Sequence, residues 1–200
     1  MKSTAWDAAG NAFKIESTAV LEAAKELDQH SFNEALSLLI SADRIACSGS
    51  GHSGFACQHF AHLLCCIDRP ARFLPPSEAI HGGMGFLQQG DLLVVASRGG
   101  KTEELLPIIE IAHIKKVSIL TITENLSSQI ASRADVVIKM KVTKECDRYN
   151  CQGTTSFIVL SSIFDALQTA LIEEMDYSLN NFAIVHPGGA VGKRLNARIK

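Results

Sequence analysis

The chain has no excess of positive charge. Its 200 residues contain 19 Lys and Arg against 21 Asp and Glu, so the formal net charge is −2. Bulk electrostatics therefore cannot hold it to duplex nucleic acid or to an anionic membrane surface. We expect neither nucleic acid nor membrane as a partner. The net charge is still compatible with a local anion-binding site, because such a site needs only a few hydrogen-bond donors that point at the anion.

Long apolar runs are also scarce. Residues 1–14 contain no apolar run of the signal-peptide type, and we expect no later stretch to approach the ~20 apolar residues of a membrane span. These absences predict a cytoplasmic protein, in which the six cysteines stay reduced. Cys146 and Cys151 flank a polar loop without C-x-x-C spacing, which argues against a structural zinc site there.

No linker, repeat or low-complexity tract divides the sequence, so we expect one domain over residues 1–200 that includes N-terminal helices within 1–41. Apolar spacing predicts helices near 5–27, 32–40, 55–67, 105–114, 127–132 and 155–175. Short apolar runs predict strands near 44–47, 71–74, 91–96, 116–121 and 136–140. Strands that are apolar on both faces and alternate with helices indicate an α/β fold, in which helices cover both sides of a parallel sheet.

Two Gly/Ser segments follow predicted strands, at the sheet edge where α/β proteins bind ligands. The first, SGSGHSG at 48–54 (loop 1), has glycines for close backbone approach, serine hydroxyls and a helix start, all of which suit a phosphate. The segment also fits GxGxxG from Gly49, but the next strand does not end on the acidic residue of a dinucleotide site. The alternative without any ligand is a tight strand–helix turn.

The second segment, SRGGKTEE at 97–104 (loop 2), strengthens the case for a phosphate. A further hydroxyl cluster, GTTS at 153–156, begins the last long predicted helix. Three convergent helix starts that carry hydroxyls favour a small phosphomonoester as the ligand. The predicted phosphate-binding residues are Ser50, Ser53, Ser97, Thr102, Thr154 and Thr155.

These loops belong to a wider set of motifs along residues 40–195. The set comprises GSGHSG at 49–54, PSEAIHG at 76–82, SRGGKTEE at 97–104, KE at 144–145, TTS at 154–156 and AIVHPGGA at 183–190. In these motifs the chain resembles the sugar isomerase (SIS) domain, and most closely the arabinose-5-phosphate isomerases. The resemblance implies a flavodoxin-like three-layer sandwich with a five-stranded parallel sheet, a homotetramer, and interconversion of arabinose 5-phosphate and ribulose 5-phosphate.

The chain departs from the family pattern in both loops. Loop 1 of the family has lysine where this chain has His52, and loop 2 of the family has serine and glutamate where this chain has Gly99 and Lys101. Three other polar positions match the family, namely His81, Glu145 and His186. Many members carry a pair of CBS modules after this domain, and these 200 residues contain none.

Aldose–ketose isomerisation through an enediol needs a base, acid–base help for ring opening and a group that stabilises the enediolate. The resemblance makes Glu145 the candidate base and His186 the candidate for ring opening or proton shuttling. His81 and His52 are further catalytic candidates, and Lys101 is a candidate for holding the phosphate or the enediolate oxygen. From spacing alone, Glu145 fits a solvated loop carboxylate equally well.

A metal is a second hypothesis for the same residues. His52, His81, His186 and Glu145 are suitable ligands for Zn²⁺ or a similar divalent ion, and the resemblance places them around one pocket. A bound cation would polarise the sugar carbonyl. The alternative is that no cofactor is required and His52 hydrogen-bonds a sugar hydroxyl. The Lys101 ammonium would repel a cation.

Two functions therefore remain open: a phosphosugar isomerase, and a non-catalytic sugar-phosphate sensor that uses the same pocket. The presence of Glu145 and His186 favours the enzyme, and a dinucleotide-dependent oxidoreductase is a distant third. The segment 182–195 is too polar and Gly-rich for a core element, yet it carries His186. The resemblance predicts that it crosses to a neighbouring subunit and completes the site there.

Overall fold

A five-stranded parallel sheet forms the centre of the computed structural model, which describes residues 2–197 and, for Ser3 and Asn196, the backbone only. The strands are β1 (Ile45–Gly49), β2 (Ala71–Phe73), β3 (Leu92–Ala96), β4 (Ser118–Thr123) and β5 (Val136–Lys139). Their order in the sheet is β2-β1-β3-β4-β5. This is the flavodoxin-like order, so the predicted fold class is confirmed.

Helices cover both faces of the sheet. Within the described residues they are α1 (Ser3–Glu26), α2 (Gln29–Ser41), α3 (Gly51–Cys65), α4 (Pro76–Ala79), α5 (Leu106–Ile114), α6 (Thr155–Glu174), α7 (Leu179–Val185) and α8 (Gly189–Asn196). Short 3₁₀ turns add Gly83–Phe86, Glu103–Leu105 and Ala131–Arg133.

The sheet separates two hydrophobic cores, and successive side chains of β3 point alternately into one core and the other. Leu92 and Val94 belong to the core under α2, α3 and α6, whereas Leu93 and Val95 belong to the core under α5. All four side chains are fully buried. A strand with two buried faces has to be apolar throughout, which is why β3 was the clearest strand in the sequence.

Helix α6 corrects one expectation. Its 20 residues are long and apolar enough, by length and composition, to cross a membrane, although no such stretch was expected. The helix packs against α1 and α3 instead, and 44% of its most apolar window is buried inside the domain. Its side chains Phe164, Leu167 and Leu171 are fully buried in the core. A core helix of this length can be as apolar as a membrane-spanning helix, because much of its surface packs inside the protein.

Several predicted boundaries also move. Helix α3 begins at Gly51 rather than near residue 55, so most of loop 1 is its first turn. The predicted helix at 127–132 is only the 3₁₀ turn Ala131–Arg133. Helices α7 and α8 occupy the segment for which no core element was expected, and two of its side chains, Ala183 and Leu195, are buried.

Strand β4 begins two residues later than predicted because Lys116 ends α5. Lys116 has a positive φ of 57°. The Val117 N–H bonds to the Ala112 carbonyl, and the Lys116 N–H bonds to the His113 carbonyl. This pairing with a left-handed residue is a Schellman motif, so residues 116 and 117 belong to the helix terminus and not to the strand.

Candidate functional site at the carboxyl ends of β1 and β3

Loops 1 and 2 leave the sheet side by side. Strands β1 and β3 are hydrogen-bonded neighbours, and their last paired residues are Gly49 and Ala96. The chain leaves β1 toward β2 on one side and later returns to β3 on the other, so the strand order reverses here. In open α/β sheets, ligands bind in the crevice at such a switch point.

A cavity of about 570 Å³ lies at this position. We call it the switch-point cavity; it is lined by Gly49, Ser50, Gly51, Pro76, Ser77, Ile80, His81, Glu104 and Pro107. The two loops meet at its wall, where the Ser50 hydroxyl donates a 2.5 Å hydrogen bond to Glu104 Oε2. His81 and Glu104 are both exposed to the cavity side of the protein.

Loop 1 turns sharply enough to present backbone N–H groups. Gly51 has φ 57°, a left-handed conformation that favours glycine, and it begins α3. A Cβ atom on Gly54 would lie 2.6 Å from the Gly49 carbonyl oxygen, so the helix start can approach the strand end only because residue 54 is glycine. The free N–H groups at this helix start favour an anion.

Loop 2 is held by its own hydroxyls. Ser97 Oγ and Thr102 Oγ1 are 2.8 Å apart, and Ser97 is almost completely buried while Thr102 is half-buried. One of the two hydroxyls donates to the other, so the pair has one proton left for a ligand. The half-buried Thr102 is the member that can present it.

Glu145 lies in a closed network behind loop 2. Its side chain is 2% exposed and forms an ion pair with Arg98 Nη1. Its other oxygen accepts hydrogen bonds from Thr154 Oγ1 at 3.2 Å and from the Ser156 N–H at 3.1 Å. Both oxygens of this sequence-predicted base are therefore occupied by donors.

Arg98 continues the network beyond Glu145. Its Nε donates to Glu124 Oε2 at 2.7 Å, and its Nη2 donates to the Val142 carbonyl at 3.1 Å. Glu124 in turn accepts a hydrogen bond from the Val142 N–H. The guanidinium thus joins loop 2 to the ends of β4 and β5, and it was not among the sequence-predicted site residues.

The remaining hydroxyls predicted to bind phosphate differ in how accessible they are to a ligand. Ser53 is half-buried in the first turn of α3, and its side chain forms no hydrogen bond with the part of the chain that the structure describes. Thr154 is engaged with Glu145, and it also accepts the Cys146 N–H at 3.2 Å. The Thr155 hydroxyl is fully buried and has no hydrogen-bond partner among residues 2–197. The structure therefore offers Ser53 to a ligand more readily than Thr154 or Thr155.

The predicted catalytic histidines are not brought together in one chain. His81 lines the switch-point cavity. His52 is exposed and packs against the backbone of Gly153, since a Cβ there would lie 3.1 Å from His52 Cγ. His186 stacks on Phe182 with ring centroids 3.9 Å apart and contacts the Phe182 carbonyl through Nδ1.

Lys101 is not part of the lining of the switch-point cavity. It lines a second cavity of about 800 Å³ between loop 2 and the loop after β4, which we call the outer cavity; its other lining residues are Gly100, Glu103, Leu106, Pro107, Glu110, Asn125, Ser127, Ser128, Gln129 and Arg133. The two cavities share Pro107, with Lys101 in the lining of the one and His81 in the lining of the other.

The four proposed metal ligands do not form a site within one chain. Among residues 2–197, the structure contains no group of three or more His, Cys, Asp and Glu side chains that could hold a metal ion. Glu145 is already bonded to Arg98, and His186 contacts only its own segment in the contacts described above. The geometry of the single chain gives the metal hypothesis no support.

Sequence patterns did not single out Arg98, Glu104 or Glu124. A signal existed for two of them, because Arg98 and Glu104 lie within loop 2 itself. An arginine directly after a fully buried strand has to find a partner at the sheet edge, because charged side chains in such places are paired. That partner, Glu145, lies 47 residues away and follows no periodic pattern.

Comparison with known proteins gives a consistent result. Residues 38–170 match the model of the SIS domain. The chain is 32% identical over 185 residues to arabinose 5-phosphate isomerase KpsF of Escherichia coli, an alignment that covers 92% of this chain. It spans only 57% of the length of that curated relative.

Solved structures agree on the fold. A Listeria monocytogenes protein named for a proposed sugar-phosphate isomerase activity has a TM-score of 0.91 at 33% identity, covering 94% of this chain and 100% of that one. An Escherichia coli CFT073 protein in complex with A5P has a TM-score of 0.87 at 23% identity, with the same coverage. Vibrio vulnificus NanR complexed with ManNAc-6P has a TM-score of 0.76 at 18% identity, covering 100% of this chain and 70% of that one.

Proposed function

Because the chain belongs to the SIS domain family, we propose that it is a phosphosugar aldose–ketose isomerase acting on arabinose 5-phosphate and ribulose 5-phosphate through an enediol. The observation that carries the proposal is the meeting of loops 1 and 2 at the switch-point cavity, where His81 and Glu104 flank two helix starts. Similarity to KpsF supports the choice of substrate.

The phosphate is proposed to bind between the two loops. Ser53 and the Ser97–Thr102 pair lie at the helix starts. Ser53 has its own hydroxyl proton to donate, and the pair has one proton left, which Thr102 presents. The single proton of Ser50 is already donated to Glu104, and Thr154 and Thr155 lie in the Glu145 network or the core. We therefore reduce the predicted set of six to Ser53, Ser97, Thr102 and the backbone of loop 1.

The proposed reaction moves only protons between two carbons and two oxygens, so it requires no redox cofactor. An imidazole has an ordinary pKa near neutrality, so a histidine in the cavity can give a proton to one sugar oxygen and take one from the other. His81 is the proposed proton shuttle because it lines the cavity. Chelator treatment tests the metal hypothesis, and turnover that survives excess EDTA is the expected result.

His186 is proposed to act in a neighbouring subunit of a homotetramer. Exposed apolar side chains support assembly through the outer faces of α1 and α7: Trp6 is 84% exposed, Phe13 is 77% exposed and Ile184 is 77% exposed. Light scattering at micromolar concentration should give four times the 21.6 kDa chain mass. A monomer in that measurement contradicts the proposal.

The test of the activity is a panel of phosphosugars followed by NMR in D₂O. Arabinose 5-phosphate should lose its C2 proton to solvent and convert to ribulose 5-phosphate, while glucose 6-phosphate and N-acetylmannosamine 6-phosphate serve as comparison sugars. Binding without proton exchange would favour the alternative, a non-catalytic sensor. One observation favours that alternative: Glu145, the sequence-predicted base, is occupied by Arg98. No binding of any phosphosugar would contradict both functions.

A further inference from the structure

Two glutamates near loops 1 and 2 differ in burial and in the number of donors that bind them. Glu145 is buried, paired with a guanidinium and bonded to two further donors. A substrate carbon could approach it only after the displacement of Arg98, Thr154 or the Ser156 N–H. Arg98 cannot leave easily, because it also binds Glu124 and the Val142 carbonyl.

Glu104 has the properties that Glu145 lacks. It is exposed, it lines the switch-point cavity, and among the described residues it receives a single hydrogen bond, from Ser50 to Oε2. Its Oε1 is therefore free to accept a proton. The Ser50 hydrogen bond fixes the direction of the carboxylate, because Ser50 is itself anchored at the start of α3.

His81 completes the arrangement from the opposite loop. It lines the same cavity, is exposed, and has no hydrogen bond from its side chain among the described residues. The cavity thus holds one carboxylate with a free oxygen and one imidazole with free nitrogens. Its volume of about 570 Å³ is within the range of small-molecule sites.

We propose that Glu104, and not Glu145, is the general base of this site, and that Ser50 orients it. This inference rests on the proposed isomerase function. In the open-chain aldose, Glu104 takes the proton from C2, and the electrons of that C–H bond form the C1=C2 double bond. His81 gives a proton to O1, which yields the enediol. His81 then takes the proton from O2 as the C2 carbonyl forms, and Glu104 returns its proton to C1.

The test compares Glu104→Gln with Glu103→Gln. Glu103 is the adjacent exposed carboxylate in the same 3₁₀ turn, but it lines the outer cavity. With arabinose 5-phosphate as the probe, we expect E104Q to lower kcat and C2 proton exchange by about 10³-fold, the scale of general-base catalysis. Its Kd for the same sugar should stay within about threefold, and E103Q should stay within about twofold of wild type in both respects.

Three further variants separate a base from a structural residue. E104D keeps a carboxylate at shorter reach and should recover part of the lost kcat. Ser50→Ala should lower kcat about tenfold with an unchanged Kd, because it removes the orienting bond and leaves the phosphate donors in place. Glu145→Gln, assayed where circular dichroism shows it folded, should lose less activity than E104Q.

The outcomes are distinguishable. If the wild type exchanges C2 protons and E104Q stays within tenfold of it, this inference is wrong and the isomerase proposal stands. A larger loss of kcat in fully folded E145Q than in E104Q would also overturn the inference, because it would indicate that Glu145 is the base. If the wild type exchanges no proton with any sugar of the panel, the proposed function fails and the inference fails with it.

Discussion

Arg98 and Glu145 form an ion pair in which the carboxylate side chain is 2% exposed and the guanidinium side chain is 35% exposed. Replacing Arg98 by Met leaves a buried carboxylate without its cation, so the free energy of unfolding should fall by about 3 kcal/mol. Equilibrium urea unfolding at pH 7 measures the change. Arg148→Met is the matched control, because Arg148 is exposed and, among the described residues, both its hydrogen bond and its cation–π contact are with its neighbour Tyr149.

A double variant sharpens this test. In Arg98→Met combined with Glu145→Gln, the buried Glu145 carboxylate is gone and only the half-buried Glu124 has lost its cation, so part of the lost stability should return. Strict additivity of the two single changes would show that the ion pair does not couple them. A loss below about 1 kcal/mol in R98M would show that the network contributes as little as an exposed pair.

Gly100 gives a second prediction, on the shape of loop 2. Its φ is 65°, and a Cβ atom there would lie 2.1 Å from Ser128 Oγ, which is buried. Gly100→Ala combines backbone strain with this overlap, so it should lower the free energy of unfolding by at least about 2 kcal/mol. Gly99→Ala should change it by less than about 0.5 kcal/mol, since nothing lies within 4 Å of that position. Thermal melting of both variants measures the contrast, and equal melting temperatures would contradict it.

Thr102 carries the prediction on phosphate binding. Thr102→Val preserves the shape of the side chain and removes the half-buried hydroxyl that presents the remaining proton of the Ser97–Thr102 pair. It should therefore weaken arabinose 5-phosphate binding by about 2 kcal/mol, the scale of a hydrogen bond to a charged group. Ser97→Ala should weaken it by about 1 kcal/mol, since it removes only the partner of that hydroxyl. Isothermal calorimetry measures both, with Ser37→Ala on α2 as the control, because Ser37 bonds only to the Asn33 carbonyl. Unchanged affinity in both loop variants would place the phosphate elsewhere.

The cysteines should divide into reactive and inert groups. Burial raises the pKa of the Cys57 thiol to about 12 and holds the pKa of Cys47 well above its ordinary value, and neither is exposed. Cys65 and Cys151 are exposed and free. Iodoacetamide at pH 8 should therefore modify Cys65 and Cys151 in the native protein, and Cys47 and Cys57 only in denaturant. Peptide mass spectrometry reads the sites directly, and native modification of Cys57 would contradict the buried position of α3.

The strands and the two loops could be predicted from the sequence because each rests on a local pattern, whereas the flavodoxin-like order of the sheet followed only from the resemblance to the family. Strand β3 is apolar over both faces, and glycines mark the turns that follow it and β1. Pro107 is compatible with a helix only in the first turn, and α5 begins one residue before it.

The details of the site could not be predicted in this way, because they depend on contacts across the sequence. The Arg98–Glu145 pair joins residues 47 apart, and the Ser50–Glu104 hydrogen bond joins residues 54 apart. Neither distance follows a helical or strand period. Motif matching placed Glu145 among the catalytic candidates, but it could not show that donors already occupy both its oxygens.

The pairing of β1 and β3 ends at Gly49 and Ala96. His52, Gly99 and Lys101, the three positions that we infer from the resemblance to depart from the family pattern, follow those two residues in the chain. His52, Gly99 and Lys101 are all exposed. Substitutions there change charge and hydrogen bonding at the sheet edge without disturbing a buried contact of the sheet. We therefore expect substitutions at these three positions to alter the choice of ligand while they change the free energy of unfolding little, so that the ligand and the scaffold can be varied separately.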